Sequence, residues 1–139
     1  MSDKKITVEA SIDATIDKAW KLWTSPEHII KWNSPSDDWH TPKAENDLKK
    51  GGRFVYRMEA KDGSFGFDFG GTYDEVQDKK KLTYTLDDDR KVEVFFAEAE
   101  DKTTVTETFD PENQNPVEMQ EQGWKAILDN FKKYVEAMD

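Results

Sequence analysis

Cysteine is absent from the 139-residue chain. That excludes disulfide bonds, thiolate metal ligands and a cysteine nucleophile. Histidine is scarce: His28 and His40 are the only two. Asp37, Asp38 and His40 lie close together, but their spacing fits no zinc motif, and a solvated loop is expected there. His28 is expected at the surface. Long apolar runs are also missing. No window approaches the roughly 20 apolar residues that span a bilayer, and Met1 to Ile12 holds no stretch of signal-peptide length. A soluble, cytoplasmic protein is the expectation. Basic residues are in deficit, 20 against 30 acidic, for a net charge of −10. Such a surface repels phosphate backbones and anionic headgroups, so neither nucleic acid nor a membrane is expected as a partner.

Motifs for cofactor and metal chemistry are missing as well. Gly51-Gly52 and Gly70-Gly71 open no helix and precede no Lys-Ser or Lys-Thr pair, which excludes a phosphate cradle. Asp87-Asp88-Asp89 lacks the alternating ligands and glycine of a calcium loop and reads as a hairpin turn. No serine sits in a nucleophile elbow, and neither histidine has an evident serine partner. No cofactor and no metal are implied.

What is present is aromatic and periodic. Phe, Trp and Tyr make up 12% of the residues, and most fall in patterned segments, the signature of a real core. Ile6, Val8, Ala10 and Ile12 alternate with polar residues as in a half-buried strand. Ile16, Ala19, Trp20 and Trp23 recur at helical spacing. Ser25-Pro26 then restarts a second short helix, Ser25 as a possible cap, that runs to Trp32. From Asn33 to Gly52 no period holds, and a long loop anchored by Trp39 is expected.

Strands follow. Phe54, Tyr56 and Met58 share one face, and Asp62-Gly63 marks a tight turn. Phe65, Phe67 and Phe69 alternate until Gly70-Gly71, where a bulge or sharp bend is expected. Leu82, Tyr84 and Leu86 form the next strand, then Val92, Val94 and Phe96, and the last spans about Thr103 to Phe109. Asn115-Pro116-Val117-Glu118 reads as a capped helix start, with Asn115 as the cap. Val117, Trp124, Ile127, Leu128, Phe131, Tyr134, Val135 and Met138 then mark one stripe of a helix of about 22 residues, roughly 33 Å long. The whole chain, 1–139, reads as one domain. It is of α+β class: a curved antiparallel sheet of about six strands, two short helices after the first strand, and a long C-terminal helix as its cover.

Three blocks carry a resemblance. The run from Ala19 to Trp32 (AWKLWTSPEHIIKW), the run from Asn46 to Phe54 (NDLKKGGRF) and the run from Gly123 to Phe131 (GWKAILDNF) resemble, in order, the domain named after activators of the Hsp90 ATPase. The resemblance covers nearly the whole chain. It implies the helix-grip fold shared with START lipid-transfer domains and the birch-pollen allergen class, whose members often hold apolar molecules between sheet and helix.

Candidate ligand-contacting residues are Phe54, Tyr56, Met58, Phe67, Phe69, Tyr84 and Trp124, an aromatic set with a few polar tips; the alternative is plain core. Trp32 and Trp39 flank the long loop and form either a lid over such a cavity or staples for the loop, with the staple favoured. Glu107 shares a strand face with Val105 and Phe109. Pointing inward it would bind a ligand's polar end or act as a general base; turned outward or ion-paired it is structural. Three functions compete. The first is binding of a small apolar or amphipathic molecule, as carrier, scavenger or sensor. The second is a cyclase-like enzyme using Glu107 with Tyr56 or Tyr84. The third is a protein-interaction role through a chaperone. The resemblance weakens the third, because the eukaryotic activators grip the chaperone with a separate N-terminal domain and this chain opens directly on the helix-grip part.

Overall fold

The computed structural model describes residues 5–34, 36–112 and 115–138. The elements run β1 (Ile6–Ile12), α1 (Ile16–Thr24), α2 (Pro26–Trp32), β2 (Trp39–Asn46), β3 (Arg53–Ala60), β4 (Gly66–Gln77), β5 (Lys81–Leu86), β6 (Lys91–Ala99), β7 (Lys102–Phe109) and α3 (Val117–Ala137). All strands join one antiparallel sheet in the order β1-β7-β6-β5-β4-β3-β2. The chain meanders from β2 to β7, and β1 completes the sheet beside β7. The sheet curls into a half-barrel around α3. It has seven strands, where about six are expected from the sequence.

The extra strand is β2, in the stretch expected to be a long loop. Its pattern is nearly silent because only Thr41 is buried along it. Pro42 lies at the register shift between His40 and Lys43. A residue without an N–H is tolerated there, on an edge strand and at a bulge. A second departure concerns Gly70-Gly71. The β3 register runs through both glycines, Val55 opposite Gly70 and Phe54 opposite Gly71, and the shift comes between Tyr73 and Glu75. The glycines serve close approach instead. A Cβ on Gly71 would sit 2.6 Å from the Thr85 carbonyl oxygen and 3.1 Å from the Phe54 ring.

The long helix is most deeply buried at one end. Leu128, Phe131 and Val135 in its C-terminal half are fully buried, and the Phe131 ring meets Trp23 and Trp32 edge-on, each at 4.8 Å between centroids. α1 supplies Trp23 because its apolar residues fall on one face, and Thr15 caps it through a hydrogen bond accepted from the Lys18 N–H. At the other end Val117 and Met119 stay exposed, and Trp124 stacks on Phe109 with centroids 3.8 Å apart. The N-terminal half thus reaches the sheet through the Trp124 ring, while Gly123 beside it leaves open space.

The start of α3 also differs from expectation. Pro116 takes the cap position and no side chain caps the helix. Asn115 turns its amide to Glu112 Oε1 at 2.8 Å. Gln120 from the helix's first turns does the tethering: its Oε1 accepts from the Glu112 N–H at 2.8 Å, and its Nε2 donates to the Asn115 carbonyl at 2.8 Å. Ser25 holds the cap position of α2, with Pro26 next, but its hydroxyl makes no capping bond. No helix among the described residues is long and apolar enough to cross a membrane.

Candidate functional site

Strand alternation builds one wall of a cavity. Phe54, Tyr56 and Met58 of β3, Phe67, Phe69 and Tyr73 of β4, Leu82 and Tyr84 of β5, and Glu107 of β7 all point to the concave face. The N-terminal half of α3 supplies the opposite wall through Met119, Gly123, Trp124 and Ile127. Trp23, Trp32 and Asn33 form the floor, and Arg90, Glu112 and Asn115 line the mouth. The space, open at its mouth, is about 320 Å³, at the small end of the range for small-molecule pockets. It lies beside the Trp124–Phe109 stack, where Gly123 presents no side chain to the sheet.

All the aromatic candidates read from the sequence line this space except Trp39. Trp32 sits in the floor, 3% exposed, its Nε1 donating to the Leu22 carbonyl at 3.0 Å. Trp39 lies at the start of β2 and meets Phe65 and Phe67 edge-on, at 6.0 and 6.1 Å. Trp32 and Trp39 do not flank one irregular loop as expected, because that stretch contains a strand that carries Trp39 to the sheet edge. His28 is half-buried rather than at the surface: its Nδ1 lies 2.7 Å from the Tyr134 hydroxyl, joining α2 to α3 away from the cavity. His40 faces Glu59 at 3.8 Å. Among the described residues no cluster of side chains has the makings of a metal site.

The polar groups inside the cavity differ in how they are satisfied. The Tyr73 hydroxyl donates to Asn46 Oδ1 at 2.6 Å, and Asn46 in turn donates to the Thr24 carbonyl at 2.7 Å, a chain that ties β4 to α1. Glu107 is 5% exposed on the inward face of β7, with Val8 and Val94 opposite it on the flanking strands. Burial alone pushes its carboxyl up to about 8, because a desolvated carboxylate favours the proton. Burial also raises Tyr84 well above the ordinary phenol range, with the nearby Glu107 charge adding to it. Tyr56 is raised in the same way, chiefly by burial. At the mouth Arg90 is engaged by Asp88 at 2.8 Å. The arrangement is an apolar, ring-lined chamber with one neutralisable acid on its sheet wall.

Several lining residues escape a reading of the sequence. Tyr73 follows Gly70-Gly71, where the alternation is lost to view. Arg90 lies in a hairpin turn and Gly123 in the middle of a helix, neither of which advertises a cavity. Leu82 was legible, since it shares the face of Tyr84.

Comparison with known proteins agrees with the fold. The family profile described as "Activator of Hsp90 ATPase homolog 1-like protein" matches residues 13–136. The solution structure of an AHSA1-like protein from Aeromonas hydrophila is 48% identical, covers 96% of this chain and 93% of its own, and superposes with a TM-score of 0.91. A protein from Cytophaga hutchinsonii is 52% identical over 95% of this chain and 92% of its own, with a TM-score of 0.83. A protein from Chromobacterium violaceum shares the fold at 21% identity, covering 97% of this chain and 99% of its own with a TM-score of 0.86. No curated protein matches. A profile match over most of the length, joined to near-half identity with a protein of the same architecture, means that the chain belongs to the activator of Hsp90 ATPase homolog 1-like family.

Proposed function

We propose that the chain acts as one helix-grip binding module that holds a small apolar or amphipathic molecule between the sheet and α3. The observation that carries this reading is the chamber of about 320 Å³ walled by Phe54, Tyr56, Met58, Phe67, Phe69, Tyr84 and Trp124 and floored by Trp32. A packed core excludes such a void, since interiors approach crystal density. A two-ring molecule burying about 250 Å² of apolar surface gains about 6 kcal/mol at 25 cal/mol per Å². Before the cost of immobilisation that corresponds to an affinity of about 10–100 μM. Native mass spectrometry of freshly purified protein, followed by extraction and then by loading with N-phenyl-1-naphthylamine, tests the reading. A one-to-one apolar adduct is expected, and it should weaken when Tyr56→Lys or Phe67→Lys places a charge on the wall of a still-folded protein. Absence of any one-to-one complex, native or loaded, would overturn it.

Glu107 supports a second reading. A carboxyl near neutrality beside Tyr84 is a usable acid-base group, as a cyclase-like enzyme acting on the held ligand would require. Turnover of the extracted ligand that disappears in Glu107→Gln while binding persists would select this reading. Retained ligand with no turnover would select simple binding.

A further inference from the structure

Glu107 has no structural employment. Its cross-strand neighbours are Val8 and Val94, and among the described residues no side chain hydrogen-bonds or ion-pairs with its carboxyl. The basic residue lining the same cavity, Arg90, is at the mouth and held by Asp88 at 2.8 Å. A carboxyl on an otherwise apolar buried face costs folding stability unless something in the cavity answers it. Tyr84 contributes a hydroxyl nearby, which is itself an acid and supplies no positive charge.

The surroundings select the sign of the answer. The protein carries a net charge of −10, which draws cations towards its mouth and turns anions away. Of the described lining groups, Glu107 and Glu112 are acidic, and Arg90, the one basic group among them, sits at the mouth with its Nε donated to Asp88. The faces of Phe54, Tyr84 and Trp124 offer the π density that stabilises an ammonium group away from water. We propose that the occupant of the cavity is an apolar amine, its ammonium nitrogen paired with the Glu107 carboxylate and its aromatic or aliphatic body packed among the rings of Phe54, Phe69 and Trp124. The proposal rests on the binding reading above and names the class of ligand for that site.

A matched set of probes separates the two claims. 2-(2-Naphthyl)ethylamine, 2-(2-naphthyl)ethanol and 2-naphthylacetate share one apolar body and differ in the polar end. Isothermal titration at pH 8.5, where the Glu107 carboxyl is ionised and a primary ammonium is still charged, should rank the amine about 10- to 100-fold tighter than the alcohol with the wild type, the scale of a charge-assisted hydrogen bond in a desolvated site. The acid should bind weakest. In Glu107→Gln the amine should fall to within about threefold of the alcohol measured on the same variant. Glu107→Leu, which leaves an apolar wall, should show the same loss of amine preference and hold the alcohol at least as tightly. Equal binding of amine and alcohol by the wild type would overturn the amine proposal and leave the cavity reading standing. Failure of all three probes to bind would overturn both.

Discussion

Replacing Glu107 by Gln should change how stability depends on pH. The folded carboxyl is held at about 8 by burial, against an ordinary value of 4.5. Between those limits the folded protein keeps a proton that the unfolded chain has released. Stability therefore falls as pH rises through that window, by about 1.4 kcal/mol per pH unit, and levels off above pH 8. From pH 5.5 to 7.5 the loss attributable to Glu107 is on the order of 2–3 kcal/mol. An unfolding entropy near 2.1 cal/mol/K per residue gives this chain about 0.3 kcal/mol/K, so the melting temperature should fall by about 9 °C over the same interval. Glutamine matches the protonated side chain in shape and never ionises. The variant should therefore lack this component, equal the wild type within about 1 kcal/mol at pH 5, and exceed it at pH 8. The carboxylates whose values are lowered, Asp62, Glu75, Asp87, Asp110 and Glu136, act at lower pH and are common to both proteins. Thermal melts of the pair at half-unit steps from pH 5 to 8.5 give the difference curve directly. Parallel curves would refute the placement of Glu107 as a buried acid without a partner.

Other substitutions probe the architecture. Gly123 lies within α3 on the cavity wall, and an added Cβ there meets nothing within 4 Å. Gly123→Ala should raise stability by about 1 kcal/mol through helix propensity alone, read as a higher denaturation midpoint. Gly123→Leu should fill the chamber and cut N-phenyl-1-naphthylamine binding at least about tenfold in a fluorescence titration without unfolding the protein. Gly71→Ala should cost about 2–3 kcal/mol in urea melts, since its Cβ would collide with the Thr85 carbonyl and the Phe54 ring. Phe131→Ala should cost about 3–5 kcal/mol, because the ring is fully buried between Trp23 and Trp32; a loss below 1 kcal/mol would mean that α3 is not seated there.

Where one face of an element is buried and the other wet, its residues announce it. Ile6 to Ile12, Arg53 to Ala60 and Thr103 to Phe109 alternate cleanly in burial, and the same parity turns Glu107 inward beside Val105 and Phe109. β2 was hidden because an edge strand with one buried residue and a proline carries almost no period. The second half of β4 was hidden because Gly70-Gly71 read as a break, whereas they mark close packing inside a continuous strand. Tyr73 keeps the parity of Phe67 and Phe69, which the apparent break concealed, and the bulge beyond it resets the parity only of the residues that follow. Trp39 was misplaced for the reason β2 was missed. The open space beside Gly123 could not be read at all: the stripe of α3 is continuous, and only packing decides where it leaves room.

The claim at the centre of this account is that an apolar molecule occupies the chamber under α3. A 15N–1H correlation titration of the wild type with N-phenyl-1-naphthylamine tests it most directly. Saturable one-to-one shifts clustered at Tyr56, Phe69, Tyr84, Gly123 and Trp124 are the predicted result. Shifts confined to the Trp39 and Phe65 edge, or none at all, would contradict it.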